Sequence, residues 1–136
     1  MEIRIANQDD LDWLVMEDDV TTDWASRCIR QNEYILATGD GNPLGFLRFS
    51  LFWGRFPYMD MIRVRPASRK NGFGTAMLKR WEEETRRQGH QLLMTSSQED
   101  EPEPQAWHTR NGFSRSGQLT FGKQQAVPEI FFVKDL

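Results

Sequence analysis

The sequence predicts a mixed α/β (α+β) domain, and three observations carry that prediction. Three strand-like runs follow one another across short turns, a long amphipathic helical pattern follows the third, and further strand-like runs close the chain. Glu2 to Ala6 alternates, with Ile3 and Ile5 on one face, and reads as a short first strand. Asn7-Gln8-Asp9-Asp10 supplies capping residues ahead of a helix beginning at Leu11-Asp12-Trp13-Leu14-Val15. A second helix is expected from Asp23 to Arg30. Tyr34 to Thr38 reads as a strand, Gly39-Asp40-Gly41-Asn42-Pro43 as a strong turn, and Leu44 to Phe52 as a long strand. Gly54-Arg55-Phe56-Pro57 turns the chain into a strand ending at Val64, and these three strands are expected to form an antiparallel meander.

The long helix, from Phe73 to Arg87, places Phe73, Met77 and Trp81 on one stripe, joined by Leu78 and Thr85. Glu82 with Arg86, and Glu83 with Arg87, stand at i,i+4 and mark a solvated face. Gly89 fits a C-cap. His90 to Thr95 is the next expected strand, and Ser96 to Pro104 a polar loop. A short helix from Gln105 to Arg110 stops at Asn111-Gly112. Phe113 to Thr120 and Val127 to Val133 are the closing strands. No repeat, linker or low-complexity block divides the chain, so residues 1–136 are read as one domain.

Composition narrows the class. Nine Phe and five Trp in 136 residues argue against disorder. A net charge of −3 with interspersed signs argues against a nucleic-acid partner. The single cysteine, Cys28, forbids an intrachain disulfide and reads as a small packed residue suited to a reducing compartment. No apolar run approaches the ~18 residues of a membrane span, and the N-terminus lacks a signal-peptide core, so a cytoplasmic location is expected. Two isolated His and one Cys give no metal-ligand spacing.

The most informative stretch is Val64-Arg65-Pro66-Ala67-Ser68-Arg69-Lys70-Asn71-Gly72-Phe73-Gly74-Thr75. It joins a strand to the long helix. Glycine lets backbone approach a ligand closely, and the free N–H groups of a helix N-terminus attract anions. The turn is therefore suited to a phosphate or pyrophosphate. It lacks the Gly-Lys-Ser/Thr of a Walker A loop. A dinucleotide fingerprint would need a small residue where Met77 stands. The partner motifs of a kinase Gly-rich loop are missing.

Arg69-Lys70-Asn71-Gly72-Phe73-Gly74, preceded by Val64-x-Pro66, resembles the Arg/Gln-x-x-Gly-x-Gly/Ala signature of the GNAT superfamily of N-acetyltransferases. The resemblance implies a mostly antiparallel mixed sheet of about seven strands with about four flanking helices, splayed between strands four and five. It implies acetyl-coenzyme A as cosubstrate and a small-molecule or peptide primary amine as acceptor, attacked directly in a ternary complex. It assigns coenzyme contacts to Ile62, Arg63 and Val64 along the fourth strand, and to Arg69, Lys70, Asn71, Gly72, Phe73, Gly74 and Thr75 in the loop. It also implies frequent dimerisation, with Ile130-Phe131-Phe132-Val133 as a candidate participant.

Acetyl transfer requires the amine to lose its charge and the leaving thiolate to be managed. Asp60, inside the apolar run Tyr58-Met59-Asp60-Met61-Ile62, is the candidate base, and strand alternation places it on one face with Ile62 and Val64. Its structural alternative is a carboxylate held by an arginine or by backbone amides. His108 stands in Ala106-Trp107-His108-Thr109-Arg110-Asn111-Gly112-Phe113, where the family usually carries the tyrosine that protonates the thiolate, and it is the candidate acid. A cap or surface role is its alternative. Glu103 or Gln105 stands near the place of the family's usual asparagine. Trp24, Trp53 and Phe56 are the candidate acceptor wall, against the alternative that they are core. Glu17-Asp18-Asp19 reads as a solvated helix face, with electrostatic attraction for a cationic amine as its alternative. Two rival functions stay open: an acyl-coenzyme A-sensing module of the same fold with little turnover, kept open by the absent tyrosine, and an unrelated nucleotide-binding α/β domain.

Overall fold

The structure is a computed structural model describing residues 1–136. In chain order it comprises β1 (Glu2–Ile5), α1 (Leu11–Glu17), α2 (Thr22–Arg30), β2 (Tyr34–Gly39), β3 (Asn42–Phe52), β4 (Phe56–Val64), α3 (Phe73–Arg87), β5 (Leu92–Gln98), α4 (Pro102–Arg110), β6 (Ser114–Phe121) and β7 (Gln125–Asp135), with short 3-10 turns before α1 and after β4. One seven-stranded sheet takes the order β1-β2-β3-β4-β5-β7-β6. Every pairing is antiparallel except β4 with β5.

Each sheet face has its own core, as strand alternation requires. Ile35, Leu47, Met59, Leu93 and Ile130 meet Met77, Leu78 and Trp81 of α3 on one face. Tyr34, Leu36 and Phe46 meet Leu14, Ala25 and Ile29 of α1 and α2 on the other. Met77 and Trp81 are fully buried, and burial on this scale contributes about 2 kcal/mol per side chain. Cys28 is buried in the α1/α2 core.

The junction of β4 and β5 shapes the molecule. Parallel pairing is confined to Tyr58–Met94 and Met59–Thr95. The Thr95 hydroxyl donates to the Met59 carbonyl at 3.1 Å at the end of this contact. Beyond it the two strands diverge, and the β5-facing backbone edge of residues 60–64 has no strand partner. On its other side β4 pairs with β3, but Arg48 opposes Met61 and Phe49 opposes Met59, so Asp60 is the extra residue of a β-bulge.

The bulge corrects the alternation expected around Asp60. Ile62 and Val64 pack against the α3 core. Asp60 instead faces the α1/α2 side, among the charges of Arg48, Asp18 and Glu33. One inserted residue shifts the facing of everything before it.

Other boundaries also differ. His90 is not in β5, because its N–H closes the C-terminal turn of α3 on the Thr85 carbonyl at 3.1 Å. Ser96, Ser97 and Gln98, expected in a loop, extend β5 opposite Phe131, Ile130 and Glu129. The α4 helix starts earlier, at Pro102, where the missing proline N–H costs nothing in a first turn. Glu82 does not belong to a solvated face: it is buried and receives Lys134 Nζ at 2.5 Å, with Arg86 at 3.9 Å. Asp18 is likewise no surface acid. Its side chain is wholly buried, accepting from Tyr34 Oη at 2.5 Å and from Arg48 Nε at 2.7 Å.

Candidate active site

The divergence of β4 and β5 opens a cleft of about 1000 Å³. Its lining comes from both faces of the sheet. Ile62, Val64, Thr95, Ser97, Trp107 and His108 belong to the face covered by α3 and α4. Asp60, Ser96, Gln98 and Glu129 belong to the opposite face. A continuous sheet could not offer both to one cavity. The gap is therefore a passage from one side of the sheet to the other.

At the α3 end the passage meets a backbone cradle. The loop takes left-handed geometry at Lys70 (φ 65°) and Gly72 (φ 81°). Asn71 Nδ2 donates to the carbonyls of Ser68 and Arg69 at 3.1 and 3.2 Å, and Arg69 Nε donates to the Val64 carbonyl at 3.0 Å. Arg69 and Asn71 thus fold the loop. The amides of residues 70–75 make no intramolecular hydrogen bond, and the first donor of the helix is Ala76 N–H, to the Gly72 carbonyl at 3.0 Å. A run of free amides at a helix N-terminus is an anion site. At Gly74 a Cβ would make ordinary contact with Trp107 at 3.4 Å and Ile62 at 3.9 Å, which shows how closely the helix start approaches α4 and β4.

Of the expected coenzyme contacts, Ile62, Arg63, Val64, Arg69, Lys70, Gly72, Phe73, Gly74 and Thr75 line the cleft. Asn71 does not and acts through the loop's shape. Arg63 also donates to the Glu17 carbonyl at 2.6 Å, tying β4 to the end of α1.

Asp60 lies on the cleft, open to solvent along it and walled by protein around it. That surrounding protein pushes its carboxyl above the ordinary carboxylate range, while the Ser50 hydroxyl and Arg48 pull the other way. Arg48 is already held by Asp18, and no cation pairs with Asp60.

His108 lies on the opposite side of the passage, 4% exposed, packed edge-on or tilted against Trp107, Phe113 and Phe132. Burial pushes its pKa down to about 4, against a raising contribution from the Ser96 backbone. Its Nδ1 is buried without a partner, as is the hydroxyl of Ser97 nearby on the cleft wall. At neutral pH the ring is uncharged: its one N–H is engaged with the Ser96 backbone, its unpartnered Nδ1 is a lone-pair acceptor, and it has no imidazolium proton to transfer.

The three aromatic acceptor candidates are not assembled into one wall. Trp24 is half exposed on α2 under Arg27, 4.8 Å from its ring. Phe56 lies at the other end of β4 beside His90 and Asp135. Trp53, 77% exposed in the β3–β4 turn, stacks on Phe52 at 4.7 Å. From Phe52 a ladder continues to Tyr58 at 6.2 Å and Phe131 at 6.3 Å, and this ladder approaches the cleft. Sequence reasoning missed Tyr58, Ser96 and Glu129. The Ser96 hydroxyl donates to Glu129 Oε2 at 2.6 Å and is itself in close hydrogen-bond contact with Tyr58 Oη. Nothing in the local sequence signals this group, because it forms across three strands.

A sheet parted between two parallel strands, with a backbone anion cradle on one side and a carboxylate on the other, defines an acyl-transfer domain. The chain belongs to the GNAT acetyltransferase family, whose family model matches residues 3–113, and it is accordingly an acyltransferase. Its fold is similar to a GNAT-family acetyltransferase from Bacillus cereus ATCC 10987 (23% identity, TM-score 0.79, 98% of this chain and 96% of that one). It is similar also to a ribosomal-protein-alanine N-acetyltransferase from Brucella melitensis (21% identity, TM-score 0.82, all of both chains). A third similar structure, a putative acetyltransferase from Salmonella typhimurium with its cofactor acetyl-CoA, shares 18% identity at a TM-score of 0.82, over 100% and 94% of the two chains. At these identities the likeness is one of fold. No curated protein sequence matches the chain. No helix is long and apolar enough to cross a membrane.

Proposed function

We propose that this chain is an acetyl-CoA-dependent N-acetyltransferase that acetylates a primary amine by direct attack in a ternary complex. The observation that carries the reading is the passage through the sheet. It has unpaired amides at one end and an unpaired carboxylate at the other. Residues 70–75 fit a pyrophosphate, since their amides are without partners and Lys70 is exposed among them. The coenzyme supplies a thioester carbonyl open to attack. The unpaired edge of β4 beyond Met59 orients the arm that carries it and offers N–H groups to the carbonyl oxygen.

Asp60 works on the other side. A carboxylate with a raised pKa accepts a proton more readily than an ordinary one, and it takes the proton of the acceptor ammonium through a water. His108, neutral, acts through its free Nδ1, which holds a water whose other hydrogen bonds to the departing sulfur. Calorimetry with acetyl-CoA and a thiol-release assay over an amine panel test the reading. Binding weakened by Gly72→Ala, with amine-dependent thiol release, is the expected result. A second reading, an acyl-coenzyme A sensor, is favoured by the lack of a transferable proton on His108. Tight coenzyme binding with no thiol release for any primary amine would favour it.

A further inference from the structure

Two carboxylates line the passage on its acceptor side, Asp60 and Glu129, and neither is paired with a cation. The Asp60 carboxylate is given work by the proposed function. Glu129 is not, yet it is the better fixed of the two. Its Oε2 accepts from Ser96 Oγ at 2.6 Å and its Oε1 from Gln125 Nε2 at 3.0 Å. Since Ser96 spends its one hydrogen on Glu129, Tyr58 must donate to Ser96. The chain Tyr58–Ser96–Glu129 therefore runs one way and ends in a carboxylate that keeps a lone pair on each oxygen. A fixed, half-buried anion that faces a cleft and lacks a counter-charge is open to a cation in the cleft.

Geometry says where that cation would sit. Asp60 is on β4 and Glu129 on β7, with β5 between them. Because β4 and β5 part beyond Met59, the two carboxylates are separated by more than two regular strand spacings, which would be roughly 10 Å. Tyr58, two residues before Asp60 on β4, reaches Ser96 with its hydroxyl and feels the charge of both carboxylates. Its ring and that of Phe131, 6.3 Å apart, form an aromatic pair beside this stretch. On the far wall of the same cleft, Ser97 Oγ and His108 Nδ1 are buried and unpartnered.

We propose that Glu129 is a specificity-determining residue for the acceptor, and that the acceptor is an elongated dication. The amine to be acetylated lies at Asp60. A second ammonium or amidinium group lies at Glu129, with an aliphatic spacer crossing the end of β5 between them. This rests on the acetyltransferase reading and goes beyond it by naming the acceptor's charge pattern.

The test compares diaminooctane with octylamine, which differ in the distal ammonium alone. The wild-type enzyme with acetyl-CoA is expected to show a higher kcat/KM for the diamine. Glu129→Gln keeps an acceptor for Ser96 and is expected to cut the diamine-over-monoamine ratio about tenfold, the worth of one charged hydrogen bond. A ratio that Glu129→Gln leaves unchanged overturns the proposal. If neither amine is turned over, calorimetric binding of both to the protein saturated with coenzyme A decides the matter. Diamine binding that is stronger than monoamine binding and lost in Glu129→Gln supports the site, and equal binding overturns it. Failure of coenzyme A itself to bind would be a failure of the underlying acetyltransferase reading, seen separately before any amine is added.

Discussion

The two faces of the sheet do different work with different materials. On the α3 face the candidate site is made chiefly of backbone, with His108 beside it: free amides at residues 70–75 and the unpaired edge of β4. On the α1/α2 face it is made of side chains from three strands: Asp60, Ser96 and Glu129. A backbone site depends on where the chain can turn, so its requirements are glycines and a helix start. A side-chain site depends on register and bulges, so it can vary while the fold stays fixed. That division suits an enzyme that keeps one donor and changes its acceptor.

The comparison can be broken first at Asp18. This buried carboxylate holds Tyr34 and Arg48 on the same face of the sheet as Asp60. Asp18→Ala strands a buried guanidinium, and a loss of about 4 kcal/mol of stability is expected in urea unfolding. If the two faces are separable, the surviving folded fraction still binds acetyl-CoA with wild-type affinity.

Asp60→Asn acts on chemistry. Amine-dependent turnover should fall about 100-fold, as for loss of a general base. The acidic limb of the wild-type kcat/KM profile should lie above the ordinary carboxylate range, since surrounding protein raises the Asp60 pKa. That limb should vanish in the variant.

His108 sharpens the comparison through pH. Its folded-state pKa, lowered from an ordinary 6.5 to about 4, means that the unfolded chain takes up a proton in that window and the folded one does not. The contribution is intact above 6.5 and is lost as pH falls toward 4. It amounts to about 3 kcal/mol, and urea midpoints across the window should be less pH-dependent in His108→Phe.

Trp53 gives the smallest effect. It holds a left-handed φ of 57° in a turn that favours Asn-Gly, and it is largely exposed. Trp53→Asn should raise stability by about 1 kcal/mol in thermal unfolding. A simultaneous rise in KM for the acceptor would place Trp53 on the acceptor path; an unchanged KM would remove it.

What the sequence made legible follows the same division. The long helix is found at Phe73–Arg87, as its periodicity and the Gly-x-Gly start indicated. The cradle was readable because Gly72 and Gly74 are local signals. Asp60 was readable as a charge in an apolar run, but its facing was not, because the bulge depends on pairing with Arg48 and Phe49 in another strand. Ser96 was misread as loop because β7 supplies the partners that make it strand. Glu129 was invisible, since its significance arises only when β7 lies beside β5. Glu82 and Asp18 looked like surface acids because Lys134 and Arg48, their partners, are distant in sequence.

The most direct test is calorimetric titration of acetyl-CoA into wild type, Gly72→Ala and Asp60→Asn, each followed by thiol release with a reactive amine. The passage described above predicts that Gly72→Ala, which strains the left-handed N-cap and displaces the amides, weakens binding at least about tenfold. It predicts that Asp60→Asn binds as wild type does and releases little thiol. Wild type that does not bind acetyl-CoA, or an Asp60→Asn that weakens binding as much as Gly72→Ala, would contradict it.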